Sequence, residues 1–292
     1  MSTGTAFTRV AVDPFEAVAE EPGSSKPDPI LVADSVARRF GGLMAVNVDH
    51  FDLQRGSITA LIGPNGAGKT TFFNVVTGLP GHQVARRGMV RTFQLTKALS
   101  RLKVIDNMKL GATGQVGENF FRALLRPLWR DQEREVEERA EALLERFNLA
   151  HMRNEFAGTL SGGQRKLLEM ARALMVQPQL VMLDEPMAGV NPALAQSIIR
   201  HVEGLREEGL TVLFIEHDMD VVRTISDWVV VMAEGLLIAE GRHSSIVTNP
   251  RVIDAYLGAH HGTPLDRAEQ EKQLAEAQQA IEAEEQVREE AQ

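Results

Sequence analysis

The stretch "GPNGAGKTT", residues 63–71, sets Gly63, Gly68, Lys69 and Thr70 at the spacing G-x-x-x-x-G-K-[ST]. An apolar run, Ile58 to Ile62, precedes it, and the residues from Thr70 to Val76 can continue as a helix. Strand, glycine-rich loop and helix in that order make a phosphate cradle. Glycines let backbone N–H groups converge on phosphate oxygens, and the helix N-terminus adds its positive dipole end. Gly63, Pro64, Asn65, Gly66, Ala67, Gly68, Lys69, Thr70 and Thr71 are therefore the candidate nucleotide-binding set. Lys69 would neutralise the β- and γ-phosphates, and the Thr70 hydroxyl would serve Mg²⁺, a hard cation that shares oxygen ligands with the nucleotide.

Two further stretches carry chemistry. "LVMLDEP", residues 180–186, puts two carboxylates at the end of an apolar strand, where open α/β sheets place their ligand sites. Asp184 would reach Mg²⁺ directly or through water, and Glu185 would orient or deprotonate an attacking water. Alone, such a pair is more often a capping or surface feature; beside a phosphate cradle it points to phosphoryl transfer to water. "TLSGGQRKLLEMARAL", residues 159–174, has Ser161 before two glycines at the start of an amphipathic pattern. By capping rules this is a helix N-terminus, either a second anion site or simply a capped helix.

The elements that must position these residues follow from periodicity. "SITALI" at 57–62, "QLVMLDE" at 179–185, "LTVLFIEH" at 210–217 and "WVVVMAEG" at 228–235 have strand length. The first three lack alternation, as expected of a parallel sheet covered on both faces. Helical patterns separate them: "GQRKLLEMARALM", "PALAQSIIRHVEGLREEG" with Pro192 as first helical residue, and "DMDVVRTISD". Alternating strands and helices give an α/β fold. Val136, Ala140, Leu143, Leu144 and Phe147 recur at helical spacing, so a helical subdomain, at about 97–175, is inserted into the sheet.

Composition sets the frame. A chain of 292 residues, 43% hydrophobic, can bury a sizeable core. Its net charge of −9 is concentrated at the two ends, and the near-neutral middle has no basic stripe, which argues against nucleic acid as the main partner. With no cysteine, disulfides, thiolate metal sites and cysteine nucleophiles are excluded. Pro, Gly, Ser and acidic residues dominate up to Pro29, so residues 1–29 are expected to be a disordered acidic leader and the domain to run over 30–261. Residues 262–292, rich in Ala, Glu and Gln, are expected to be a solvated helical tail. No run approaches 18 apolar residues, and the N-terminus lacks a basic start followed by an apolar core. The chain is expected to be soluble, with any membrane contact running through a partner.

The cradle, "LSGGQ" at 160–164 and "LVMLDEP", in this order, resemble the ATP-binding-cassette (ABC) ATPase domain over roughly residues 30–258. The resemblance implies ATP as ligand and a head-to-tail pair of domains. Leu160, Ser161, Gly162, Gly163 and Gln164 of one domain would then act on the nucleotide held by the other. By position, Phe40 in "RRFGGLMAV" resembles the aromatic residue that stacks on adenine. Gln94 of "RTFQL" resembles the glutamine that touches Mg²⁺, and His217 the histidine that holds the γ-phosphate and attacking water. Asn191 of "AGVNP" departs from the pattern, standing where many such domains carry Asp. "RRFGGLMAVNVD", "ARRGMVRTFQLTKAL", "DEPMAGVNP" and "NPRVIDAYLG" are most similar to ATP-binding subunits of branched-chain amino acid importers. That likeness implies membrane-spanning permease subunits, a second ATPase subunit, an indirect link to a solute-binding protein, and a place on the cytoplasmic face of the cell membrane. The alternatives are a soluble ABC clamp or the ATPase of a related exporter. One feature departs from the family: after "TTFFNVVTG" the chain goes directly to "LPGHQVARRGMVRTFQ", leaving an antiparallel β arm shortened by about two strands.

Overall fold

The computed structural model describes residues 13–77, 88–91, 100–112 and 127–260. Strands β1 (Pro29–Phe40) and β2 (Leu43–Gln54) form an antiparallel arm. The main sheet comprises β3 (Ile58–Ile62), β4 (Met89–Arg91), β5 (Leu180–Asp184), β6 (Thr211–Ile215), β7 (Trp228–Ala233) and β8 (Leu236–Gly241). Its order is β4-β5-β6-β3-β7-β8, with every pairing parallel except β7 with β8. All five residues of β3 and of β6 are buried. Both faces of the sheet are covered, which is why these strands read as unbroken apolar runs.

Side chains alternate between two cores. Ile58, Ala60 and Ile62 of β3, with Val181, Val212 and Phe214 of its neighbours, join the core shared with the helices. Leu61, Met182, Leu213 and Met232 face the other core, made with the arm and with Phe72 and Phe73 of α1 (Lys69–Thr77). The first core takes in α2 (Val104–Lys109), α3 (Pro127–Arg146) and α4 (Gly162–Leu174). In α3, Val136, Ala140 and Leu144 turn to this core, with Phe147 just beyond the helix. Helices α5 (Pro192–Glu207), α6 (Met219–Ile225), α7 (His243–Ile246) and α8 (Pro250–His260) follow among the described residues. Among the described residues no helix is long and apolar enough to cross a membrane.

The expected disordered leader is corrected over residues 13–29, which pack as a strap across β2, β7 and β8; residues 1–12 lie outside the described residues. Phe15 is 3% exposed and stacks on Trp228, ring centroids 4.7 Å apart. The Lys26 ammonium lies 3.2 Å from a Glu240 carboxylate oxygen, both side chains 1% exposed, and above the Trp228 ring at 5.1 Å. Ser24 N–H donates to Glu240 Oε1 (2.6 Å), Lys26 N–H to Asp52 Oδ2 (3.1 Å) and Asp28 N–H to Gln54 Oε1 (3.1 Å). Arg242 pairs with Asp13. Composition suggested disorder because the strap has few apolar residues, but one aromatic and one ion pair with partners more than 200 residues away anchor it. Burial pushes the Glu240 carboxyl above its usual range, and Lys26, the Ser24 N–H and the Trp228 N–H oppose that push. Removing Phe15 as Phe15→Ala should lower unfolding free energy by about 3 kcal/mol, the scale for deleting a buried aromatic. Urea denaturation checks this, and an unchanged midpoint would contradict the packed strap.

Candidate functional site

The phosphate loop leaves β3 at Ile62 and enters α1 at Lys69. Gly68, at φ 97°, sits so close to the arm that a Cβ would drive into the Ala45 carbonyl, and a Cβ on Gly63 (φ 146°) would meet that of Met232. The two glycines are thus demanded by backbone conformation and by close approach. The loop closes on itself through Ala67 N–H to the Pro64 carbonyl (3.2 Å), and α1 starts with Phe72 N–H to the Gly68 carbonyl (2.7 Å). Lys69 Nζ donates to the Gly63 and Pro64 carbonyls at 2.7 and 2.9 Å. Burial draws its pKa down, while the Glu185 and Asp184 carboxylates act to raise it.

A cavity of about 710 Å³ opens over this loop, lined by Asn65 through Thr71, by Phe40, Leu43 and Met44 from the arm, by Glu185, and by Glu234 and Gly235 from the β7–β8 turn. Phe40 is 54% exposed, so its ring is available to a planar ligand. Asp184 ends β5 opposite Ile215 of β6, and Glu185 follows at φ 48° with its N–H bonded to the Ile215 carbonyl (3.0 Å). His217 comes two residues after the end of β6, its side chain 69% exposed. Phosphate loop, carboxylates and histidine therefore share the C-terminal edge of three adjacent parallel strands. Gln94 lies outside the described residues.

None of Leu160, Ser161, Gly162, Gly163 or Gln164 lines this cavity. They begin α4, where Ser161 Oγ accepts from Gln164 N–H (3.2 Å) and Gln164 Oε1 accepts from Ser161 N–H (2.9 Å), a reciprocal capping box. Ser161 and Gly162 are exposed, and Gly163 lies against the Leu194 side chain of α5, which would have to shift to admit a Cβ there. Asn191 caps α5 through Leu194 N–H at 2.9 Å. The sequence reading missed Leu43, Met44 and Glu234 as lining residues; "GGLM" and "AEG" marked the two turns, but not that they close on the loop. It also missed Lys166 and Glu216. Lys166 Nζ donates to the carbonyls of Glu185 (3.3 Å), Pro186 (3.2 Å) and Ala188. The buried Glu216 accepts from Met187 N–H (2.8 Å) and His217 N–H (3.3 Å). Burial moves the Glu216 carboxyl upward and the Lys166 ammonium downward.

Among the described residues no three of His, Asp and Glu converge as a metal site. The donor set of Thr70 and Asp184 fits a cation that brings phosphate oxygens with it, as Mg²⁺ does with a nucleotide.

A glycine-rich phosphate loop after a central parallel strand, a carboxylate pair after its second neighbour and a capped glycine helix define a P-loop ATPase of the cassette type. The chain belongs to the ATP-binding cassette family of ABC transporters. The ABC transporter family matches residues 46–188, and a second family, described as branched-chain amino acid ATP-binding cassette transporter, matches residues 237–262. The chain is 41% identical over 250 residues to the high-affinity branched-chain amino acid transport ATP-binding protein BraF of Pseudomonas aeruginosa, covering 79% of this chain and 98% of that one. It is 40% identical over 248 residues to the probable protein LivG of Archaeoglobus fulgidus, covering 79% and 96%. Among solved structures it resembles the ADP conformation of an ATP-binding cassette of an ABC transporter, at TM-score 0.66 and 33% identity over 78% of this chain and 98% of that chain. A nucleotide-free cassette gives 0.67 and 34% at the same coverage. ATP hydrolysis is the characteristic activity of this family. Since 79% of 292 residues is about 231, about 19 of the 250 positions aligned with BraF have no counterpart here, the length of about two short strands and their turns. For the site itself, Gly68→Ala should cost more than about 1 kcal/mol of stability through its left-handed backbone and the Ala45 contact. It should also weaken ATP binding; a labelled-nucleotide titration and a melting curve at wild-type values would contradict this account.

Proposed function

We propose that this chain is the ATP-hydrolysing subunit of an ABC importer for branched-chain amino acids or a similar small polar solute. The observation that carries the reading is one cavity that brings Phe40, Lys69, Thr70 and Glu185 together, in a chain whose relatives are named for branched-chain amino acid transport. Phe40 stacks on adenine from the arm, and the loop N–H groups with the N-terminus of α1 bind the phosphates. Lys69, already held among the Gly63 and Pro64 carbonyls, presents its ammonium to the β- and γ-phosphates. When bound, Mg²⁺ spreads the phosphate charge, and Thr70 and Asp184, with Gln94, are the residues to hold it. Glu185 takes a proton from the attacking water, and His217 orients water and γ-phosphate.

Leu160 to Gln164 of one chain meet the nucleotide held by a second ATPase subunit, identical or different. ATP binding then closes the pair and hydrolysis reopens it, because the nucleotide favours the closed state. The pair works on membrane-spanning permease subunits at the cytoplasmic face of the cell membrane, and a solute-binding protein is linked only through them. Glu185→Gln should keep ATP affinity and lower turnover by about a hundredfold or more, the scale of lost general-base catalysis. Steady-state hydrolysis at the wild-type rate would remove Glu185 from that role. Tagged protein purified from native membranes should bring permease subunits with it; recovery only in the soluble fraction, without them, would favour the soluble clamp.

A further inference from the structure

Lys166 stands five residues after Ser161 on α4. A lysine ammonium has three N–H donors, and here three carbonyls of one short loop receive them: Glu185 (3.3 Å), Pro186 (3.2 Å) and Ala188. A lysine on a helix face usually extends its head into water; this one, half-buried, turns its head onto the backbone that follows the catalytic carboxylate. The same loop is held from the other side. Glu216, its side chain 1% exposed, accepts Met187 N–H at 2.8 Å with one oxygen and His217 N–H at 3.3 Å with the other. Glu185 itself lies at φ 48°, a conformation that a non-glycine residue keeps only where its surroundings hold it. Cation and anion thus grip residues 185–188 between the helix that begins with "SGGQ" and the strand end that carries His217.

We propose that Lys166 and Glu216 are positioning residues for hydrolysis: Lys166 makes the Glu185 backbone follow the N-terminal turn of α4, and Glu216 ties that loop to His217. A rigid helical turn and a half separates Ser161 from Lys166. Occupation of the Ser161–Gly163 end by a nucleotide is therefore transmitted to the carboxylate of the same chain. This rests on Glu185 being the general base.

The test uses the full chain, single-turnover hydrolysis and ATP affinity, with Lys166→Met, Lys166→Arg and Glu185→Gln. Lys166→Met should slow hydrolysis by about tenfold to a hundredfold, the scale for a slightly misplaced group, with ATP affinity within about twofold of wild type. Lys166→Arg, which keeps a cation with several N–H donors, should recover most of the rate. In the Glu185→Gln background Lys166→Met should add no further loss, because it acts through that residue. Equal fractional losses in both backgrounds, or a wild-type rate for Lys166→Met, would overturn the proposal. If Lys166→Met does not fold, Glu216→Gln decides: it keeps the shape but sets an amide N–H against a backbone N–H, and should show the same non-additive loss. Additive loss, or none, overturns the proposal there too. Glu185→Gln hydrolysing at the wild-type rate is a separate outcome: it removes the general-base reading, and this proposal with it.

Discussion

Everything at the site depends on a backbone junction with no room for side chains. Ala67 of the phosphate loop accepts the Gly235 N–H at 3.0 Å, and Gly235 in turn accepts the Asn47 N–H at 2.7 Å. Loop, β7–β8 turn and arm are therefore joined by two consecutive hydrogen bonds, with the missing Cβ atoms of Gly68 and Gly235 letting the Ala45 backbone approach. Buried backbone groups must be paired, so this junction fixes the height of the arm over the loop. That height brings Phe40, Leu43 and Met44 to the wall of a cavity whose floor is Lys69 and Thr70.

The arm also needs support from behind. With only two strands among the described residues, it packs Phe51 edge-on against Phe72 of α1, ring centroids 5.1 Å apart. Its far end is bridged to β8 by the strap, through Asp52 and Gln54 on one side and Glu240 on the other. The Lys26–Glu240 pair is buried in that bridge. A buried ion pair adds little net stability against an apolar equivalent, but breaking one by removing a single partner is strongly destabilising. The pair therefore specifies where the strap seats more than it strengthens the fold. The family matches begin at residue 46, beyond the strap, and the strap joins the sheet to an arm that has two strands among the described residues.

On the helical side the geometry is one of levers. The capping box stiffens the first turn of α4, and Gly163 lets that turn lie against Leu194 of α5. Asn191 caps α5 in the same neighbourhood, its amide oxygen accepting the Leu194 N–H. The loop between β5 and α5 is thus bounded at both ends by fixed backbone and held in the middle by Lys166 and Glu216.

The sequence by itself determined the α/β class, the phosphate loop, the carboxylate pair and the capped glycine helix, because each is written in contiguous residues whose local geometry is set by sterics and hydrogen bonding. Four strands and three helices fall where periodicity placed them, with ends differing by a residue or two. Only the tertiary structure decided which turns close on the loop, that Phe15 and Lys26 seat a strap where composition suggested disorder, and that Lys166 reaches carbonyls about twenty residues away. Those outcomes depend on which surfaces meet. A lone aromatic or a lone lysine is ambiguous in the chain, and its partner becomes defined only when strands 200 residues apart are brought into register and the buried polar groups between them must be satisfied.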